Sequence, residues 1–90
     1  MDHLRAKMDA LSARFAGQAE QHRAELAEAC KARDCDAVIV KAHKLAGIAP
    51  MFGYTDIGEA ALALEEAAES GEVYDAEAAR LDSLLADLQA

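Results

Sequence analysis

Apolar residues recur along the chain at spacings of three and four, the period of helices that each bury one face. Leu4, Met8, Leu11 and Phe15 form a first stripe. Gly17 breaks or bends the chain, and Ala19, His22, Leu26 and Ala29 continue the pattern to about Arg33. Asp34 or Asp36 can cap a further helix, from about Asp36 to Phe52, with Val38, Ala42, Leu45, Ala49 and Phe52 as its stripe and Gly53 as its end. Thr55 or Asp56 starts the next, with Asp56 and Glu59 in capping-box positions and Ile57, Ala61, Leu64 and Ala68 on one face. Ser70-Gly71 closes it. The last helix starts near Asp75 and carries Leu81, Leu84, Leu85 and Leu88. No stretch alternates as a strand does, and short connections make neighbouring helices antiparallel. The predicted fold is all-α, an antiparallel up-down four-helix bundle with an additional N-terminal helical segment, forming one domain over residues 1–90.

Composition narrows the function classes. Alanine is the commonest residue, Leu and Glu follow, and one proline and no tryptophan are present, a balance that favours helix. A chain this short buries only a modest core, which leaves little room for a bulky cofactor with its substrate. No apolar run approaches the roughly 20 residues that span a bilayer. Met1-Asp2-His3-Leu4-Arg5 lacks the apolar stretch of a signal peptide, so a cytoplasmic protein without membrane contact is expected. The starting Met and the helical ends favour a freestanding protein over a piece of a larger one. Cys30 and Cys35 are five apart, which suits neither a redox pair nor metal ligation from one helical face, and they read as free thiols. His3 and His22 lack the companions that a tetrahedral metal site needs, so no metal is expected.

The net charge of −8 argues against nucleic acid as a partner. Its distribution is uneven. Residues 1–53 hold eight of the nine Lys and Arg against seven acids, whereas residues 54–90 hold Arg80 alone against ten acids. An anionic group is best tolerated in the first half, where Lys31, Arg33, Lys41 and Lys44 cluster, but solvated acidic faces on the later helices explain the asymmetry, and by itself that reading wins.

One helix is odd on its outer side. At about 100° per residue, His43 falls about 140° from the centre of the Val38-to-Phe52 stripe, well outside the core. Ile39, Ala46, Gly47 and Pro50 lie within about 60° of it on the wheel. Val40, on the far side, is also apolar, and Lys41 and Lys44 occupy the opposite flank. An accessible imidazole thus sits among small and apolar residues on a face that should be charged, and such a patch usually marks a partner surface. Gly47 adds to this, because glycine inside a helix costs about 1 kcal/mol relative to alanine. One turn beyond His43, it leaves clearance for another protein's backbone. The bland alternative is an exposed histidine beside a wide buried stripe, and periodicity alone does not choose between them.

The string Ala42-His43-Lys44-Leu45-Ala46-Gly47-Ile48-Ala49-Pro50-Met51-Phe52-Gly53 resembles the signature of histidine phosphotransfer (HPt) domains. That signature has a histidine, an aliphatic residue two on, a glycine four on, then small residues and a glycine ten on. His43, Leu45, Gly47, Ala49 and Gly53 match it by position, with Phe52 as a common companion. The likeness continues through Ile57, Ala61 and Leu64-Glu65, and weakly back through Phe15 and Leu26. Two positions depart from it. Ala46 stands where the family often has a lysine, and Pro50 stands where glycine is frequent. A proline there should disturb the hydrogen bond to the Ala46 carbonyl and kink the helix.

The resemblance implies a multistep two-component phosphorelay. His43 would accept a phosphoryl group from a receiver-domain aspartate through one ring nitrogen, Nε2 by family analogy, and pass it to another receiver. Gly47 would give close approach, and Ile39, Val40, Lys44, Ala46, Gly47 and Pro50 would form the docking surface. The partners implied are response-regulator receiver domains, with a hybrid histidine kinase as a further candidate. The chain would bring no cofactor of its own, and the receiver would supply Mg²⁺. An ordinary imidazole is mostly neutral at pH 7, so no dedicated base is needed. No Asp or Glu lies on the His43 face of its own helix. ATP-dependent kinase activity is excluded by length and by the lack of a glycine-rich phosphate loop. A monomer is expected. A non-catalytic helical interaction module using the same patch is the competing reading, and a self-associating bundle is a third.

Overall fold

The computed structural model of the chain describes residues 2–88, without the side chains of residues 2–6 and of Met8. His3, Leu4 and Met8, named above from the sequence, therefore lie outside the described side chains. Five α-helices follow one another: α1 (Asp2–Gly17), α2 (Ala19–Lys31), α3 (Cys35–Ile48), α4 (Thr55–Glu69) and α5 (Asp75–Asp87). A 3₁₀ turn over Pro50–Phe52 joins α3 to α4, and no strand occurs among the described residues. The fold is the expected one. Helices α2 to α5 pack as a ring in which each touches its sequence neighbour and α5 closes against α2. No helix is long and apolar enough to cross a membrane among the described residues.

Helix α1 does not fold back along α2. It leads into α2 across Gly17 and Gln18, where Gln18 N–H donates to Arg14 O and His22 N–H to Gln18 O. Its C-terminal half is anchored on the 3₁₀ turn instead. Ser12 Oγ donates to the Phe52 carbonyl at 2.9 Å, and Tyr54 O–H donates to the Ser12 carbonyl at 3.3 Å. Phe15 is buried there, 5.4 Å from the Tyr54 ring and 6.0 Å from that of Phe52.

The stripes read from the sequence form the core. Leu26, Val38, Ala42, Leu45, Ala49, Ile57, Ala61, Leu64, Ala68, Leu81 and Leu85 are all buried, and Leu84 and Leu88 pack against them. Asp34 caps α3, accepting from Ala37 N–H at 3.1 Å. Two local expectations fail. Tyr54, whose side chain makes no capping bond, is the N-cap of α4, and Asp56 accepts only from the adjacent Ile57 N–H, so the Asp56/Glu59 capping box is not formed. Pro50 does not kink a helix running to Phe52. The α-helix ends at Ile48, Pro50 opens the 3₁₀ turn, where its missing N–H costs nothing, and Gly53 completes the reversal at φ +90°.

His22 is 8 % exposed and lies under the Phe15 ring, 5.4 Å between centroids. Lys41 Nζ donates to its Nδ1 at 2.8 Å, which places the ring proton on Nε2, a buried atom without a hydrogen-bond partner. Burial first, then the Lys41 charge, hold the His22 pKa below its ordinary 6.5. A depressed histidine contributes stability that is complete above about pH 6.5 and is lost as pH falls below it. Denaturation at a series of pH values from 7.5 to 5 should show stability falling in that window. A His22→Phe variant should flatten the fall; an equal slope in both proteins would exclude His22 as its source.

Candidate functional site

His43 stands on α3 facing away from the core, and its side chain is 77 % exposed. Its imidazole is nevertheless held. The His43 Nδ1 and Glu65 Oε2 atoms are 2.8 Å apart, and because a carboxylate only accepts, Nδ1–H is the donor. Glu65 comes from α4, the helix packed most extensively against α3, and its side chain is only 13 % exposed. The acid that the α3 wheel does not offer is therefore supplied across the helix–helix contact. Nδ1–H is tied, and the lone pair of a neutral ring is left on Nε2.

Glu65 is the functional candidate that the α3 reading overlooked, and a signal for it exists. Gly58, Leu62, Glu65 and Glu69 follow one another at spacings of four, three and four, one residue after the core stripe of Ile57, Ala61, Leu64 and Ala68. That offset places the second line at the edge of the buried face, along the seam with α3. The Glu69 carboxyl is pushed above its ordinary pKa, first by its hydrogen bond with Glu65.

A groove of about 400 Å³ opens beside the imidazole between α3 and α4. His43, Ala46, Gly47 and Pro50 line one wall, and Leu62 and Glu65 stand on the other. The docking residues expected from the sequence are divided by the structure. Ala46, Gly47 and Pro50 share the groove with His43. Val40 and Lys44 are exposed on the other flank of α3, in a depression shared with Glu25 and Asp36. Ile39 is half-buried, packs against the core and does not line the His43 groove. Leu62, exposed at 47 %, is an apolar groove residue that the sequence reading did not single out.

The basic residues near His43 in sequence, Lys31, Arg33, Lys41 and Lys44, do not line its groove. Lys41 Nζ is clamped on Glu25 Oε1 at 2.6 Å and on His22, toward α2, and the Lys44 charge acts on the same pair. Among the described residues no Lys or Arg lines the His43 groove, whereas Glu59 and Glu65 do. Cys30 and Cys35 are not bonded to each other; Cys35 S–H donates to the Ala68 carbonyl at 3.3 Å, and burial raises the Cys30 pKa.

The two glycines near the groove have different reasons. A Cβ on Gly58 would overlap the Pro50 ring, with Cδ 2.9 Å away and Cγ closer still. A Cβ on Gly47 would meet nothing within 4 Å. Gly58→Ala should therefore destabilise the fold by about 1–2 kcal/mol, overpacking outweighing the gain in helix propensity. Gly47→Ala should stabilise it by about 0.5–1 kcal/mol. Urea denaturation of both variants, with Gly58→Ala repeated in a Pro50→Ala background, tests the pair. In that background the penalty should vanish; an undiminished penalty would mean that Pro50 is not its cause.

The Hpt domain family matches residues 10–90 of the chain. Among curated proteins and among solved structures, nothing matched it. The chain belongs to the Hpt domain family. Membership is consistent with a role in phosphorelay and suggests receiver domains as partners.

Proposed function

We propose that the chain is a phosphoryl carrier in which His43 takes a phosphoryl group from the aspartyl phosphate of a response-regulator receiver and passes it to another receiver. The observation that carries this reading is the Nδ1–H···Glu65 hydrogen bond on an otherwise exposed imidazole. It presents Nε2 to the groove as a nucleophile of fixed orientation. In the forward step the Nε2 lone pair forms the bond to phosphorus while the bond from phosphorus to the aspartyl oxygen breaks, its electron pair leaving with the carboxylate. The ring keeps its Nδ1 proton and becomes cationic, and the Glu65 carboxylate offsets that charge.

The same proton serves the return step. When phosphorus moves on, the leaving group is a neutral imidazole rather than an imidazolate, because Nδ1–H never left. Positioning and charge neutralisation dominate phosphoryl transfer. This chain supplies the positioning, and the receiver, in the proposal, supplies Mg²⁺ and the acidic pocket that holds it. Gly47 fits the scheme as clearance, since the chain's own fold has no steric use for a missing side chain there. Leu62, Ala46 and Pro50 give the partner an apolar footing in the groove. A cytoplasmic, monomeric protein acting as one domain goes with the proposal.

Incubation with a receiver charged in Mg²⁺, followed by intact-mass measurement near neutral pH, tests the reading. The expected result is a gain of one phosphoryl group that is lost in acid. Binding of the receiver without any gain would leave the chain as a non-covalent interaction module.

A further inference from the structure

A phosphoryl group carries close to two negative charges near neutral pH. On Nε2 of His43 it would stand in a groove that is poor in cations and rich in acids. Glu65 lies 2.8 Å from the other ring nitrogen, but its charge is offset by the cationic ring that keeps the Nδ1 proton. Glu59, exposed on the same groove, has no such counterpart among the described residues. On the α3 side the groove presents Ala46, Gly47 and Pro50, none of which can donate to a phosphoryl oxygen through its side chain. The lysines on either side of His43 in sequence serve α2: Lys41 is clamped on Glu25 and His22, and Lys44 acts on that pair.

Resting on the carrier reading, we propose that the groove destabilises the phosphorylated form of His43, so that the chain is poised as a donor and not as a store. At equilibrium the phosphoryl group resides on the receiver aspartate. The bond from Nε2 to phosphorus breaks with its electron pair returning to Nε2, a carboxylate oxygen of the receiver forms the new bond, and the Nδ1 proton stays where it is. Among the described groove residues no cation opposes departure, and the uncompensated Glu59 favours it. Like charges a few ångströms apart in a half-exposed groove shift such a balance several-fold.

The test uses the whole chain and a receiver that exchanges phosphoryl groups with it, at equal concentrations and saturating Mg²⁺. The two phosphorylated proteins are quantified by intact mass at the early plateau. Phosphoramidate, a small donor that needs no receiver, provides a second route to phosphorylated His43. The phosphorylated receiver should exceed phosphorylated His43 at least about threefold. Ala46→Lys, which sets a cation beside the imidazole, should lower that ratio about fivefold. Glu59→Lys, on the opposite wall, should lower it similarly, and agreement between the two guards against a folding artefact in either. Ala79→Lys, on the α2–α5 face away from the groove, should leave it unchanged. Because the ratio is an equilibrium, a variant that only docks poorly reaches the same value more slowly. A plateau favouring phosphorylated His43, or equal ratios in all four proteins, would overturn the proposal alone. Failure of both donors to charge His43 would overturn the carrier reading and this proposal with it.

Discussion

A His43→Gln variant should take up no phosphoryl group from a charged receiver while folding and binding that receiver as the parent chain does. Glutamine approximates the imidazole in size and polarity but has no nucleophilic nitrogen, since the lone pair of an amide is delocalised into its carbonyl. The loss in transfer rate should exceed about a thousandfold, because covalent chemistry is removed rather than slowed. Stability should change by no more than about 0.5 kcal/mol, since the side chain is 77 % exposed and its one hydrogen bond is to Glu65. Calorimetric titration with the uncharged receiver should give a Kd within about threefold of the parent value, because the proposed docking surface rests on the apolar groove residues and not on the imidazole. Retained uptake in this variant would place the acceptor elsewhere.

Glu65→Ala is expected to slow phosphoryl uptake by about tenfold to a hundredfold without weakening receiver binding. The acid holds one tautomer and one ring orientation, and loss of such a partner leaves the nucleophile present but seldom aligned. Glu65→Gln separates orientation from charge. Its carbonyl oxygen accepts the same hydrogen bond from Nδ1–H, so most of the rate should return if orientation is the main contribution. Equal defects in Ala and Gln variants would assign the effect to the carboxylate charge on the cationic ring. Stopped-flow transfer from a charged receiver, analysed for the maximal rate and the half-saturating concentration separately, makes the distinction. A purely structural role would raise the half-saturating concentration or lower stability instead.

The bundle was legible because each helix writes its buried face in its own sequence at intervals of three and four. The site was legible only on α3. His43 and Gly47 announce themselves as misfits, a titratable ring and a costly glycine on an outer face of small and apolar residues that should be charged. Glu65 does not. Whether it reaches His43 depends on the rotation and register of α4 against α3, and an acid beside a core leucine is an ordinary sight on one helix. Its line with Gly58 and Leu62 becomes informative only once α3 is laid alongside. The same distinction explains Pro50. An apolar run continuing to Phe52 hid the end of the helix, so the proline read as a kink when it is the first residue of a separate turn. Gly58 drew no notice in the sequence, although its missing Cβ is the space that the Pro50 ring occupies. Charge was legible only in part. Four basic residues lie near His43 in sequence, with Lys41 and Lys44 on the opposite flank of α3, but only the packing shows Lys41 held on Glu25 and His22 and acids in the groove.

The central claim is that Nε2 of His43 bears the phosphoryl group while Nδ1 keeps its proton on Glu65. Nitrogen-15 and phosphorus-31 spectra of histidine-labelled protein, recorded after charging near neutral pH, address it directly. The predicted result is phosphorus coupled to Nε2 of His43 with the proton still on Nδ1. Coupling to Nδ1, or to a nitrogen of any other histidine, would contradict the account.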